Sequence, residues 1–342
     1  MADRLNSLWK SLTVGSRIAV TLLLLVIILG LLAPLYCGVG KLVPFGPNQS
    51  LEYAEYLAPL SLDPAGQLHL FGTDGFGRDV LVRLLYGVRT AVVVGLGVVI
   101  ISLIIAVLVG ITAGYFGNRR VRANWMQVLI VGLIILLAIF YFSYGFPITA
   151  ILIVAVAAGV IVLLARAPFK GFYLPLDTMI LKVIEVVKTI PALFLVLSLF
   201  AIFSQGSMMS LVIILGLLSW PSKARLLRAE VLKAKESTYI VSSQILGLSE
   251  WRTIVHHLLP NVMAPLIVAS CFTFTGAIIA ESTLSFLNVG LPQDIPSWGG
   301  MMREARDYFN AWWLAVFPGL ALFLTILGLN VIADQLNNRE NL

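Results

Sequence analysis

The chain has 342 residues, of which 59% are hydrophobic and only 12% charged, with a formal net charge of +6. Soluble domains carry about a quarter charged residues, so this composition excludes a water-soluble globule and requires a bilayer. Cys37 and Cys271 lie far apart with no ligand-spaced neighbours, which argues against a disulfide framework and against a metal site.

Residues 1–17 are polar and carry Arg4, Lys10 and Arg17, and the apolar stretch 18–36 after them is long enough to cross a bilayer. Bulky Tyr36 stands where lipoprotein cleavage before Cys37 would need a small residue, so this span is expected to remain as an uncleaved anchor. Residues 37–88 are polar and rich in Pro and Gly, with acids at Glu52, Glu55, Asp63, Asp74 and Asp79. A second span is predicted over 90–116, where Gly110 and Gly114 form a small-residue face suited to close helix approach. Arg119, Arg120 and Arg122 precede two apolar runs, 125–144 and 147–164, joined at Gly145-Phe146-Pro147, which read as a transmembrane hairpin. Further spans are predicted over 177–203 (kinked at Pro191), 208–220, 261–280 and 312–332, with a polar loop at 281–310. The total is eight.

Of the 23 Lys and Arg residues, seventeen fall in the segments on the N-terminal side of the membrane and six on the other. The positive-inside rule therefore places both termini in the cytoplasm.

Residues 226–261 form a long stretch between two spans that does not read as membrane-embedded. Leu227, Val231, Ala234, Thr238, Val241 and Ile245 recur at helical spacing. Gly247 is suited to a left-handed helix end, and Ser249 to an N-cap. The short helix after it is expected to carry Trp251, Ile254, Val255 and Leu258 on one side, with Arg252 on the flank, until Pro260 interrupts it. Such a segment offers a shaped knob to a partner; an ordinary surface-lying loop is the plainer alternative.

Other stretches are compact and charged. Phe71-Gly72-Thr73-Asp74-Gly75-Phe76-Gly77-Arg78-Asp79 reads as a tight turn with internal charge pairs. Lys182, Glu185 and Lys188 share a helix face ahead of Pro191, spaced for i,i+3 pairing. Glu281 opens the second polar loop, with Pro296-Ser297-Trp298-Gly299 further on; it is expected to bond to neighbouring loop groups rather than carry protons. No G-x-x-x-x-G-K-[ST] loop is present, so the chain is not itself an ATPase, and adjacent His256-His257 lacks metal-ligand spacing.

Together these stretches resemble the C-type permease subunit of bacterial ATP-binding-cassette importers for peptides and nickel. The 71–79 box, with its continuation Arg83 to Arg89, is similar to that family's G-T-D-x-x-G-R-D turn. Gly247 with Leu259-Pro260 resembles its coupling-loop signature, although Val241-Ser242-Ser243 replaces the usual E-A-A and His257 the isoleucine. Lys182 and Glu185 resemble the family's R-x-x-D; the stretch 281–290, Pro296 to Gly299 and Phe317-Pro318-Gly319-Leu320 also match. Against the family pattern, 118–174 is an insertion containing the hairpin.

The resemblance implies an all-α, polytopic fold of the type I importer class with an inserted hairpin. An anchor and outer loop would occupy 1–89, the first core span 90–117, the insertion 118–174 and the core bundle 175–342, with a cytoplasmic coupling loop at 222–261. It implies a subunit that is not an enzyme and binds no cofactor, since ATP would be bound by separate ATPases. It would form half of a path for peptides or a related cargo such as a nickel chelate. Partners would be a homologous B-type permease, two cytoplasmic ATPases and an extracytoplasmic binding protein, in the bacterial inner membrane. Gly247, Ser249, Trp251, Arg252, Ile254, Val255, Leu258 and Pro260 would couple to the ATPases, while Gly72, Asp74, Gly77, Arg78, Asp79, Lys182, Glu185, Glu281 and Trp298 would be structural. A self-sufficient secondary transporter or channel is the competing class; it would need an intramembrane ion site and an internal repeat, and no repeat is evident.

Overall fold

The computed structural model describes residues 13–117, 120–123, 172–202 and 207–340. The elements in order are α1 (Val14–Tyr36), β1 (Ser61–Leu62), β2 (Leu68–His69), α2 (Val80–Phe116), β3 (Arg120–Ala123), β4 (Phe172–Pro175), α3 (Leu176–Thr189), α4 (Ala192–Ile202) and α5 (Met208–Lys235). They continue with α6 (Thr238–Ile245), the short α7 (Glu250–Arg252), a π-helical turn (Thr253–Leu258), α8 (Leu259–Phe286), α9 (Trp298–Asp307) and α10 (Trp313–Glu340). Among the described residues five helices are long and apolar enough to cross a membrane, or six if the pair α3 and α4 is one broken span. The expected spans 125–144 and 147–164, and with them the count of eight, lie outside the described residues.

Several boundaries differ from the sequence expectation for local reasons. Asp79 caps α2 by accepting from the Val82 amide at 2.9 Å, so the helix starts ten residues before the predicted span and runs unbroken for 37 residues. At roughly 1.5 Å per residue it is far longer than the hydrocarbon core is thick. The predicted kink at Pro191 is a sharp break, with α3 and α4 bent by 85°. The face running from Leu227 to Ile245 is not one helix: Ser237 folds both its amide and its hydroxyl onto the Ala234 carbonyl and ends α5. Pro260 does not interrupt its helix either. The wide π turn directly before it changes the hydrogen-bond register, and the chain continues into α8.

The chain divides into two compact units, the first made of 1–105, 205–223 and 259–342 and the second of 106–204 and 224–258. In the first, α10 packs on α1, α8 and α9. Its core includes Val88, Ile278 and Trp298, the indole donating to the Leu84 carbonyl at 3.0 Å. In the second, Gly114 lies directly against Val231, so the small-residue face is a helix contact. There β3 and β4 pair antiparallel from Arg120↔Pro175 to Ala123↔Phe172. Residues 124–171 therefore leave and return through one two-stranded ribbon.

Candidate functional site

The knob predicted around Gly247 is formed in the second unit. Gly247 has φ +72°, and the Leu248 amide reaches back to the Ser243 carbonyl at 3.2 Å, which closes a Schellman-type helix end. Nothing lies within 4 Å of where a Cβ would stand on Gly247, so it is the backbone conformation, not space, that requires glycine here. Ser249 caps the next helix, its hydroxyl accepting from the Arg252 amide at 3.4 Å.

The faces around this turn divide differently from the sequence pattern. Thr253, Ile254 and Leu258 of the π turn, which packs on α6, are buried, and the Ser243 and Thr253 hydroxyls lie 3.4 Å apart. Val255 is half-buried, and Arg252 and Pro260 are exposed. Trp251 is 75% exposed, and Ile245 and Leu246, before the Gly247 turn as Trp251 is after it, are 80% and 78% exposed. An apolar prow of three large side chains on a rigidly capped turn is thus presented outward. Leu246 lies off the helical stripe, so periodicity does not single it out; its signal in the sequence is its place directly before the glycine.

Two contacts brace this unit. Arg228 of α5 grips Asp177 of α3 through both carboxylate oxygens, a fork geometry that fixes orientation as well as charge. Lys235 donates to the Tyr115 carbonyl at 2.8 Å at the end of α5. By contrast, Lys182 and Glu185 pair at 3.1 Å on an exposed face of α3, where water screens them and the pair contributes little.

In the first unit the 71–79 box is a buried charge cluster. Asp74 accepts from the Phe76 and Arg78 amides with one oxygen and from Arg78 Nε at 2.7 Å with the other. Arg78 continues to Glu304 of α9 at 3.1 Å and to the Gln293 carbonyl, which also accepts from Arg83. Burial pushes the Glu304 carboxyl above its usual range, with Asp74 adding to this and Arg78 and Arg83 opposing it. Gly72 and Gly77 are left-handed, and a Cβ on either would collide with the backbone oxygens of Leu57 and Leu51. Asp79, besides capping α2, holds His69 at 2.7 Å. The box therefore ties the loop before α2 to the loop after α8. Glu281 is buried in α8, accepting from the Ser285 hydroxyl at 2.8 Å and the Ser282 hydroxyl at 3.2 Å.

Helices long and apolar enough to cross a membrane, with an exposed apolar turn between two of them, make this a multi-pass helical membrane protein. The chain belongs to the family of binding-protein-dependent transport system inner membrane components, which matches residues 169–341, and it is the permease subunit of an ATP-binding-cassette importer. It is 31% identical, over 94% of this chain and 86% of the relative, to a putative peptide transport system permease of Brucella suis. It is 28% identical to a di/tripeptide transport system permease of Pseudomonas aeruginosa, over 98% of this chain and 90% of the relative. A glutathione transport system permease of Pectobacterium atrosepticum is 27% identical over 79% of this chain and 71% of its own length.

Proposed function

We propose that this subunit carries peptides across the bacterial inner membrane as the C-type half of a two-permease path. Both termini and the Gly247 turn face the cytoplasm, as the placement of the basic residues indicates. One of the two ATPases docks on the turn, and an extracytoplasmic binding protein delivers the cargo. ATP binds to those ATPases, and their closure is passed through α6, α7 and the π turn to rock the helices between inward and outward access. The observation that carries the reading is the exposed prow of Ile245, Leu246 and Trp251 on a capped, left-handed turn. A helix end with spaced apolar anchors is a recurring way to fill a groove on a partner. Within it Trp251 makes the contact and Arg252 steers, while Ile254 and Leu258 hold the shape from inside. Peptide cargo is inferred from the relatives, which are named for peptides, di- and tripeptides and glutathione.

The test is reconstitution of the chain with its partner subunits and binding protein in proteoliposomes, measuring ATP-dependent uptake of radiolabelled di- and tripeptides. Uptake that needs all components supports the reading; uptake by this chain alone, or driven by an ion gradient, overturns it. Trp251→Ala combined with Leu246→Ala is expected to weaken ATPase retention on purification by about tenfold or more, since buried aromatic anchors dominate such interfaces.

A further inference from the structure

Lys223 lies in α5 and is 2% exposed. Its ammonium donates to Ser102 Oγ of α2 at 2.7 Å and to Thr273 Oγ1 of α8 at 2.8 Å. Both hydroxyls have already committed their own protons, Ser102 to the Val98 carbonyl at 2.6 Å and Thr273 to the Ala269 carbonyl at 2.9 Å. They can only accept from the lysine, and neither brings negative charge. An ammonium has three N–H groups. Among the described residues Lys223 forms no ion pair, whereas Arg78 is matched by Asp74 and Glu304, and Arg228 by Asp177. A buried charge is costly unless it is paired, so three helices converge on a cation for which the described residues supply no counter-charge.

We propose that Lys223 is a binding site for a carboxylate of the transported cargo. The inference rests on the peptide-importer reading, since every unmodified peptide brings a C-terminal carboxylate. Ser102 and Thr273 hold the ammonium when no cargo is present; a carboxylate then displaces them and supplies the missing charge. In the conformation described the site is covered, so it meets cargo only when α5 shifts during transport. Pro221, two residues earlier, has no N–H to give the carbonyl one turn back, so α5 is locally easier to bend at this point.

The complete complex in proteoliposomes tests this with trialanine and its C-terminal amide, each presented on saturated binding protein so that delivery is equal. Wild type should move the acid at least tenfold faster than the amide, Lys223→Met should bring the ratio close to one, and Lys223→Arg should retain the preference. Ser102→Ala with Thr273→Ala removes the resting partners but keeps the cation, and should also retain it; this variant serves should K223M fail to assemble, and loss of the preference there counts against the proposal. In a background of Cys37→Ser and Cys271→Ser, Lys223→Cys should react with a sulfonate-bearing thiol reagent during ATP turnover at least tenfold faster than without ATP. An unchanged acid-to-amide ratio in K223M, an equal fall for both peptides, or a cysteine that stays unreactive during turnover overturns the proposal and leaves Lys223 as a helix lock. A wild-type complex that moves neither peptide overturns the peptide reading instead, and the labelling arm then decides whether Lys223 meets the path at all.

Discussion

At the scale of single residues, Gly247 and Glu281 do different work with equally local causes. Gly247 is left-handed with open space around it. A β-branched side chain there opposes the conformation by about 1–2 kcal/mol through Cβ crowding, without touching the packing of the unit. Gly247→Val should therefore insert and assemble with its partner permease while substrate-stimulated ATP hydrolysis falls, and Gly247→Asn, which tolerates the same φ, should retain most of it. Normal coupling in the valine variant would show that the turn is not a docking element. Glu281 is buried among serine hydroxyls rather than beside a cation. Glutamine keeps the acceptor that Ser285 uses, so Glu281→Gln should leave ATP-driven uptake within about twofold of wild type, with no new dependence on a proton gradient. A large loss restored by changing the external pH would instead make it a proton carrier.

At the scale of elements, the ribbon of β3 and β4 closes off the stretch between them. In β3 and β4 the terminal pair Ala123↔Phe172 brings the two ends of the 124–171 stretch side by side. Opposed residues in such a ladder sit about 5 Å apart, a gap that a two-residue turn closes. Replacing 124–171 by Asn-Gly, the dipeptide suited to a tight hairpin, should give a chain that still co-purifies with its partner permease and ATPases. Failure to assemble would show that the bundle needs residues 124–171. The Arg228–Asp177 fork lies directly beyond the ribbon, at the start of α3, and ties α3 to α5.

For the whole molecule the prediction is one of orientation, and thiol labelling tests it. With Cys37 and Cys271 replaced by serine, a cysteine at exposed Leu62, in the loop before α2, should react with an impermeant reagent in intact cells. One at Ile245, on the prow, should react only after the membrane is opened. The reverse pattern would invert the topology and detach the prow from any cytoplasmic ATPase. A cysteine at Phe146 should react with the impermeant reagent in intact cells if Gly145 to Pro147 is an outward hairpin tip, as the sequence predicts; labelling only after the membrane is opened would overturn that expectation.

The features legible in the sequence are those set by near neighbours in the chain. Apolar runs long enough for a bilayer, the asymmetry of basic residues, the left-handed Gly247, the Ser249 cap and the break at Pro191 depend on composition or on a few adjacent residues, so each could be read without coordinates. What only the tertiary structure decided depends on which surfaces meet. Helical spacing put Trp251, Ile254, Val255 and Leu258 on one side without showing which of them would be covered; the π turn packs on α6, Ile254 and Leu258 are buried, and the exposed residues are Ile245, Leu246 and Trp251. Proline chemistry predicted a stop at Pro260, whereas the π turn before it carries the helix onward. Arg78 finds Glu304, and Lys223 finds Ser102, more than a hundred residues away along the chain. A charge in a sequence says that something must compensate it, and only the packed helices say whether anything does.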